Sequence, residues 1–241
     1  MPRSLQLSAT TLNLFQDCPR CFWLHMRASL KRPARPFPSI TGGIDRLVQG
    51  YCEASRPRIP SLISLSLYAG FEKDGLAYFV ELADPPLKTL ACFQDHTYRL
   101  TGRLDDCLMF PGGVFAPLDH KSRGSRPAPG YSAQYYQLQM DVYGLLLREN
   151  GYAVGADAYL AYFYPTTRTS ESRDGWALEQ GFPFDCHVEA LPIAPARALM
   201  CYQQACSCLD GPCPLAPSPM CAYCVWATEM TTYPLARRIP V

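Results

Sequence analysis

The chain has 241 residues, enough for one substantial α/β domain with a small appendage. A hydrophobic fraction of 48% argues against global disorder, and a formal net charge of +1 says little about partners. The opening MPRSLQLSATTLNLF lacks a secretory h-region, and no apolar run reaches the ~20 residues that span a bilayer, so a cytoplasmic protein is expected. In that reducing compartment the twelve cysteines predict buried thiols and metal ligands, not a disulfide framework.

Ser8 suits a helix N-cap, and Leu12, Phe15, Phe22 and Leu24 recur at helical spacing, with Pro19 bending or interrupting the run. The proline-rich KRPARPFPS is a connector, and GGIDRLVQGYCEA predicts a helix from about Gly42. Between 56 and 97, ISLSLY and LAYFVEL suit strands with proline breaks. HTYRLTGRLDDCLMF predicts a strand, PGG a tight turn, and VFAPLDHK the return strand of a hairpin. After the loop SRGSRPAPG, YSAQYYQLQMDVYGLLLREN carries the strongest helical signal, with Leu138, Val142, Leu145 and Leu146 at helical spacing. VGADAYLAYFYP and PFDCHVEALPI predict strands and PARALMCYQQACSCL a helix, and a proline-rich tail ends in MCAYCVW. This order predicts an α/β fold on a mixed sheet.

The chemistry concentrates in LDHKSRG, at 118–124. Side chains alternate along a strand, so Asp119 and Lys121 share one face and His120 takes the other. Pairing TGRLDD with this strand through the PGG turn brings Asp105 close to Asp119. Two adjacent carboxylates repel unless a hard cation such as Mg²⁺ neutralises them. A lysine beside such a cation can orient a water and stabilise charge developing on a phosphate. The bland alternative for a lone D-x-K is a polar hairpin with a surface salt bridge. Downstream, QLQMDVY places Gln139 and Tyr143 at i and i+4 on one helix face.

GRLD, D-x-K and Q-x-x-x-Y, in that order, resemble the PD-(D/E)XK nuclease superfamily, and within it the RecB-like branch that includes CRISPR-associated adaptation nucleases and helicase-linked exonuclease domains. The resemblance runs from LSATTLNLFQDCPR to CAYC. It implies a restriction-endonuclease-like core: a mixed central sheet flanked by helices, with the N- and C-terminal segments joined at a cysteine site. It also implies one nuclease domain over 1–241, with 1–30 and 211–241 as a metal-stapled appendage. Asp105 and Asp119 match the metal-binding acids and Lys121 the catalytic lysine, with Mg²⁺ or Mn²⁺ as the cofactor. Gln139 and Tyr143 match the motif that holds nucleic acid near the metal, and the His120 backbone carbonyl is implied as a further ligand. An early-helix ligand of the family falls in GGIDRL, where Asp45 is the candidate or else an exposed carboxylate near a helix N-terminus. Asp106, on the other strand face, and Asp141, off the Gln139–Tyr143 stripe, are not expected as ligands.

CPRC gives Cys18 and Cys21, and CAYC gives Cys221 and Cys224. Two such pairs suit one four-thiolate metal site, zinc or iron–sulfur. The family's 4Fe–4S cluster uses one early and three late cysteines; this chain has no cysteine after Cys224, and Cys213 is a possible third late ligand. Cys52, Cys92, Cys107, Cys186 and Cys201 are expected as buried apolar thiols.

The resemblance implies DNA as the partner, single-stranded or at ends, in DNA repair or CRISPR adaptation, with a helicase or a CRISPR integrase as companion and no membrane. Arg123 and Arg126 are candidate phosphate contacts, and Tyr135 and Tyr136 candidate stacking residues beside the helix. Arg20, Arg27, Lys31, Arg32 and Arg35 form a basic cluster that suits phosphate or a solvated face. Two other functions compete: a non-catalytic nucleic-acid-binding or assembly subunit on the same fold, and a zinc-stapled interaction protein.

Overall fold

A computed structural model of the chain describes residues 5–33, 39–71, 80–83, 90–93, 97–166, 183–214 and 216–232. Its elements in chain order are β1 (Leu5–Leu7), α1 (Ala9–Asp17), α2 (Pro19–Arg27), α3 (Ser39–Ser55), α4 (Ser61–Phe71), β2 (Glu81–Ala83), β3 (Leu90–Phe93) and β4 (Tyr98–Gly102). They continue with β5 (Asp106–Phe110), β6 (Val114–Ser122), α5 (Tyr131–Glu149), β7 (Asp157–Pro165), β8 (Phe184–Pro192), α6 (Pro195–Asp210) and α7 (Ala222–Thr232). The contacts divide the chain into two units, one of 1–35, 93–100 and 199–241, the other of 36–92 and 101–198.

The larger unit is built on a five-stranded sheet ordered β2-β5-β6-β7-β8. β6 and β7 are parallel and the other neighbours antiparallel, so the sheet is mixed, as the sequence predicts. Alternation along the strands sorts two faces. Leu118, Tyr159, Ala161 and Phe163 join Val48 and Cys52 of α3 and Ile63 and Leu67 of α4 in one buried cluster. The other face carries α5, whose Leu138, Val142, Leu145 and Leu146 are buried. Removing so much apolar surface from water, at roughly 25 cal/mol per Å², fixes the register, because a one-residue slip would turn Leu118 to the α5 face and Asp119 into the apolar cluster.

Two expectations need correction. ISLSLY is not a strand: it lies in α4, where Ile63 and Leu67 are buried while Leu65 is 74% exposed. The alternating Leu and Ser mimic a strand, but Ile63 and Leu67 stand four apart and cover the sheet from one helix face. The strand predicted over HTYRLTGRLDDCLMF is two strands, β4 and β5, separated at 103–105. Gly102 shows where the chain is constrained: a Cβ there would stand 2.6 Å from Leu146 Cδ1 and 3.2 Å from the Tyr143 ring. Of LAYFVEL, 76–79 lies outside the described residues, and Glu81 and Leu82 fall in β2. The helix expected from Gly42 begins at Ser39.

In the smaller unit, Ser8 caps α1 as expected: its hydroxyl accepts from Thr11 N, and Thr11 Oγ1 accepts from Ser8 N at 2.8 Å. Cys18 then ends α1 and starts α2, with Pro19 at the first helical position, where its missing N–H costs no hydrogen bond. β1 pairs in parallel with β4. Arg27 is not a solvated charge: it donates to Leu209 O at 2.8 and 3.1 Å and to Tyr98 Oη at 2.7 Å. Arg35 lies outside the described residues.

Candidate active site and cysteine centre

The active-site candidate begins with unequal strand lengths. The β5–β6 ladder ends at Asp106 opposite Leu118, while β6 continues to Ser122 along β7. One register step beyond that last pair sets Asp105 opposite Asp119. In place of a further ladder bond, Asp105 Oδ2 accepts the His120 backbone N–H at 3.0 Å. The N–H and C=O of one strand residue leave toward the same neighbour. The His120 carbonyl therefore faces the Asp105 edge, while Arg123 N turns to Phe163 O of β7 at 2.9 Å.

Asp119 and Lys121 share the α5 face and form an ion pair. Asp119 is 3% exposed. Burial pushes its carboxyl up to about 6, Lys121 pulls it down, and the Asp105 charge pushes it up again. Its Oδ2 is buried and has no hydrogen bond beyond its charge pairing with Lys121, among the described residues. Gln139 reaches down from α5, its Nε2 donating to Asp119 Oδ1 at 3.0 Å and to Tyr143 Oη at 2.9 Å. Burial, and then the Asp119 charge, raise the Tyr143 phenol above its ordinary value. A buried, incompletely satisfied carboxylate oxygen beside a second carboxylate is a donor set that fits a hard divalent cation.

Other predicted residues fall elsewhere. Asp45 lies on the α3 side of β6, its Oδ1 accepting from Ser122 Oγ at 2.6 Å, not on the face of Asp119 and Lys121. The His120 ring points away from Lys121, with Nε2 3.3 Å from Asp106 Oδ2 and 3.6 Å from Cys52 Sγ. Burial holds that ring below its ordinary pKa, against the pull of Asp105. Asp106 also pairs with Arg56. Asp141 is fully buried and accepts from Ala194 N at 2.7 Å and from Arg197 Nε and Nη2 at 2.5 and 2.9 Å, so it anchors the start of α6.

Beside Lys121 lies an aromatic group that the sequence gives only in part. Tyr136 sits under the ammonium, 4.6 Å from Nζ to the ring centroid, and Tyr135 is 52% exposed. Tyr131, which periodicity does not single out, joins them: its ring is 4.5 Å from that of Tyr135, and the Arg123 guanidinium stacks on it at 4.0 Å. The signal in hindsight is spacing, since residues 131 and 135 stand one helical turn apart. Arg123 thus stands by the tyrosines, while the charge of Arg126 lies near Tyr164 and His187.

A family model of the PD-(D/E)XK nuclease superfamily matches residues 54–228, which include Asp105, Asp119, Lys121, Gln139 and Tyr143. The chain belongs to this superfamily. Among solved structures, the crystal structure of SSO0001 is similar to this chain at 14% identity with a TM-score of 0.39, covering 95% of this chain and 86% of that one. No match was found among curated proteins. No helix among the described residues is long and apolar enough to cross a membrane.

This PD-(D/E)XK protein has a second donor set in its smaller unit. The thiols of Cys18, Cys21, Cys221 and Cys224 all lie within 4.8 Å of one another, so the N- and C-terminal segments meet at the expected residues. Cys213 is not in that group; its thiol donates to Pro214 O at 3.8 Å. Burial works against the Cys18 thiolate, but backbone hydrogen bonds at Cys21 and Ser218 bring that thiol down to about 6. Cys52, Cys107, Cys186 and Cys201 are buried as expected, while the side chain of Cys92 lies outside the described residues.

Proposed function

We propose that the protein is a metal-dependent nuclease that hydrolyses phosphodiester bonds in DNA, at single strands or ends. The observation that carries this is the register that sets Asp105 opposite Asp119, with Lys121 on the Asp119 face. Asp105, Asp119 and the His120 carbonyl would hold Mg²⁺ or Mn²⁺, and Asp45, on the α3 side of β6, stands outside that set. The bound cation would supply Lewis-acid polarisation of the phosphate and a more acidic water. Lys121 orients the attacking water and offsets charge on the phosphate oxygens. Gln139 fixes the rotamer of Asp119 through its amide donor, and Tyr143 fixes Gln139. Arg123 and Arg126 meet phosphates, and Tyr135 and Tyr136 accept an unpaired base.

The narrower form of the proposal is a RecB-like enzyme of the cytoplasm, working in DNA repair or CRISPR adaptation beside a helicase or a CRISPR integrase. It is supported by Gln139 and Tyr143 lying one turn apart on α5. The proposal also takes 1–241 as one nuclease domain with 1–30 and 211–241 as its stapled appendage, and it is supported by the four clustered cysteines all lying in those two segments. The test is cleavage of single-stranded or splayed DNA with Mn²⁺ by wild type and Lys121→Ala. Loss of about 10²–10⁴-fold in rate is expected, with the fold intact by circular dichroism. Equal cleavage by both proteins would overturn the assignment.

A further inference from the structure

The family resemblance implies a 4Fe–4S cluster, and the cysteine geometry disagrees with it. The sulfurs of Cys21 and Cys224 are 3.5 Å apart, those of Cys21 and Cys221 3.7 Å, and those of Cys18 and Cys224 3.9 Å. A tetrahedral ion with metal–sulfur bonds of about 2.3 Å sets its ligands about 3.8 Å apart. A cubane cluster places each thiolate on a different iron, at the outer corners of a core of irons and sulfides. Thiols already in van der Waals contact leave no room for that core.

The backbone agrees with the smaller occupant. Cys18 is the N-cap of α2 and Cys21 lies in its first turn; Cys221 immediately precedes α7 and Cys224 lies in that first turn. Each C-x-x-C pair therefore wraps a helix N-terminus, where amide N–H groups and the helix dipole favour thiolates. Four thiolates around a divalent ion leave a net charge of −2. Arg32 answers that charge: its Nη2 donates to Cys221 Sγ at 3.2 Å. Its guanidinium is held over the Tyr223 ring at 4.6 Å and paired with Asp17 at its other end.

We infer that Cys18, Cys21, Cys221 and Cys224 bind a single tetrahedral zinc-class ion and that Arg32 is a positioning residue that stabilises the bound thiolates. Nothing in this inference depends on nuclease activity, and its readouts are metal content and spectra.

The full chain, purified anaerobically without added metal, is assayed for zinc, iron and acid-labile sulfide, and then exchanged into Co²⁺. The expected result is about one zinc per chain with no labile sulfide, and a Co²⁺ form with the d–d and thiolate charge-transfer bands of a tetrahedral tetrathiolate site. Iron with stoichiometric labile sulfide and broad visible absorption would overturn it, and so would folded protein that takes up no metal. For Arg32, the readout is competition with a chromogenic chelator. Arg32→Ala should weaken zinc binding about 10–100-fold while keeping the tetrahedral Co²⁺ spectrum, and Arg32→Lys should recover part of the loss. Unchanged affinity in Arg32→Ala would remove Arg32 from the inference.

Discussion

The oxygen site on β6 and the sulfur site of the terminal segments solve the same electrostatic problem in opposite ways. At the sulfur site four like ligands come from two local C-x-x-C pairs, and a cation is supplied by Arg32 from outside the ligand set. At the oxygen site the candidate ligands come from different places: Asp105 from the chain before β5, Asp119 from β6, and their support from α5. There the protein's own cation, Lys121, stands on the ligand itself, and burial still holds Asp119 up at about 6. A closed set of soft donors suits a resident structural ion, whereas an incompletely satisfied pair of hard donors with an open strand edge suits an ion that must also meet substrate.

Three experiments sharpen or break that contrast. Stripping the thiolate metal with a strong chelator should have the largest effect, since structural zinc supplies on the order of 10 kcal/mol to small folding units. Hydrogen exchange should then show lost protection in α1, α2 and α7, with β6 and β7 unchanged. Equal loss in both regions would erase the distinction.

The second effect belongs to Asp119. Its folded pKa lies above the ordinary carboxylate value of 3.8, so its protonated form favours the fold. Without added Mg²⁺ or Mn²⁺, that contribution is fully present below about pH 4 and is lost as pH rises through about 6, an amount of about 3 kcal/mol. Denaturant titrations of wild type and Asp119→Asn across that window should diverge by this amount, and parallel curves would contradict it. The smallest effect is at Tyr135, half exposed beside Tyr131. Tyr135→Ala should weaken single-stranded DNA binding by about 1–3 kcal/mol and leave the melting temperature unchanged; unaltered binding would remove the tyrosines from the substrate path.

How much of this was legible depends on the range over which each signal acts. The PGG turn and the alternation of LDHK predict a hairpin and a shared face for Asp119 and Lys121, because turn chemistry and pleat are local. Gln139 and Tyr143 are readable for the same reason, one helical turn apart. What escaped was decided by partners distant in sequence. ISLSLY carries both periods, and packing of Ile63 and Leu67 on the sheet chooses helix. The break after β4 follows Gly102, where Leu146 and Tyr143 of α5 come too close to admit a Cβ. Arg32 looked like one basic residue among several until Cys221 and Tyr223, some 190 residues away, gave it a role. The His120 ring, with Cys52 and Asp106, is likewise invisible until α3 packs behind β6.

The early end of β5 has one more consequence. β6 outruns that neighbour by four residues, from Asp119 to Ser122. A strand two pairs longer, through Leu104, would spend the His120 amide and carbonyl on ordinary ladder bonds. The gap between two strand lengths is thus a measured allotment of unpaired main chain, and its size, more than any single side chain, sets how many backbone atoms this sheet can offer to something other than itself.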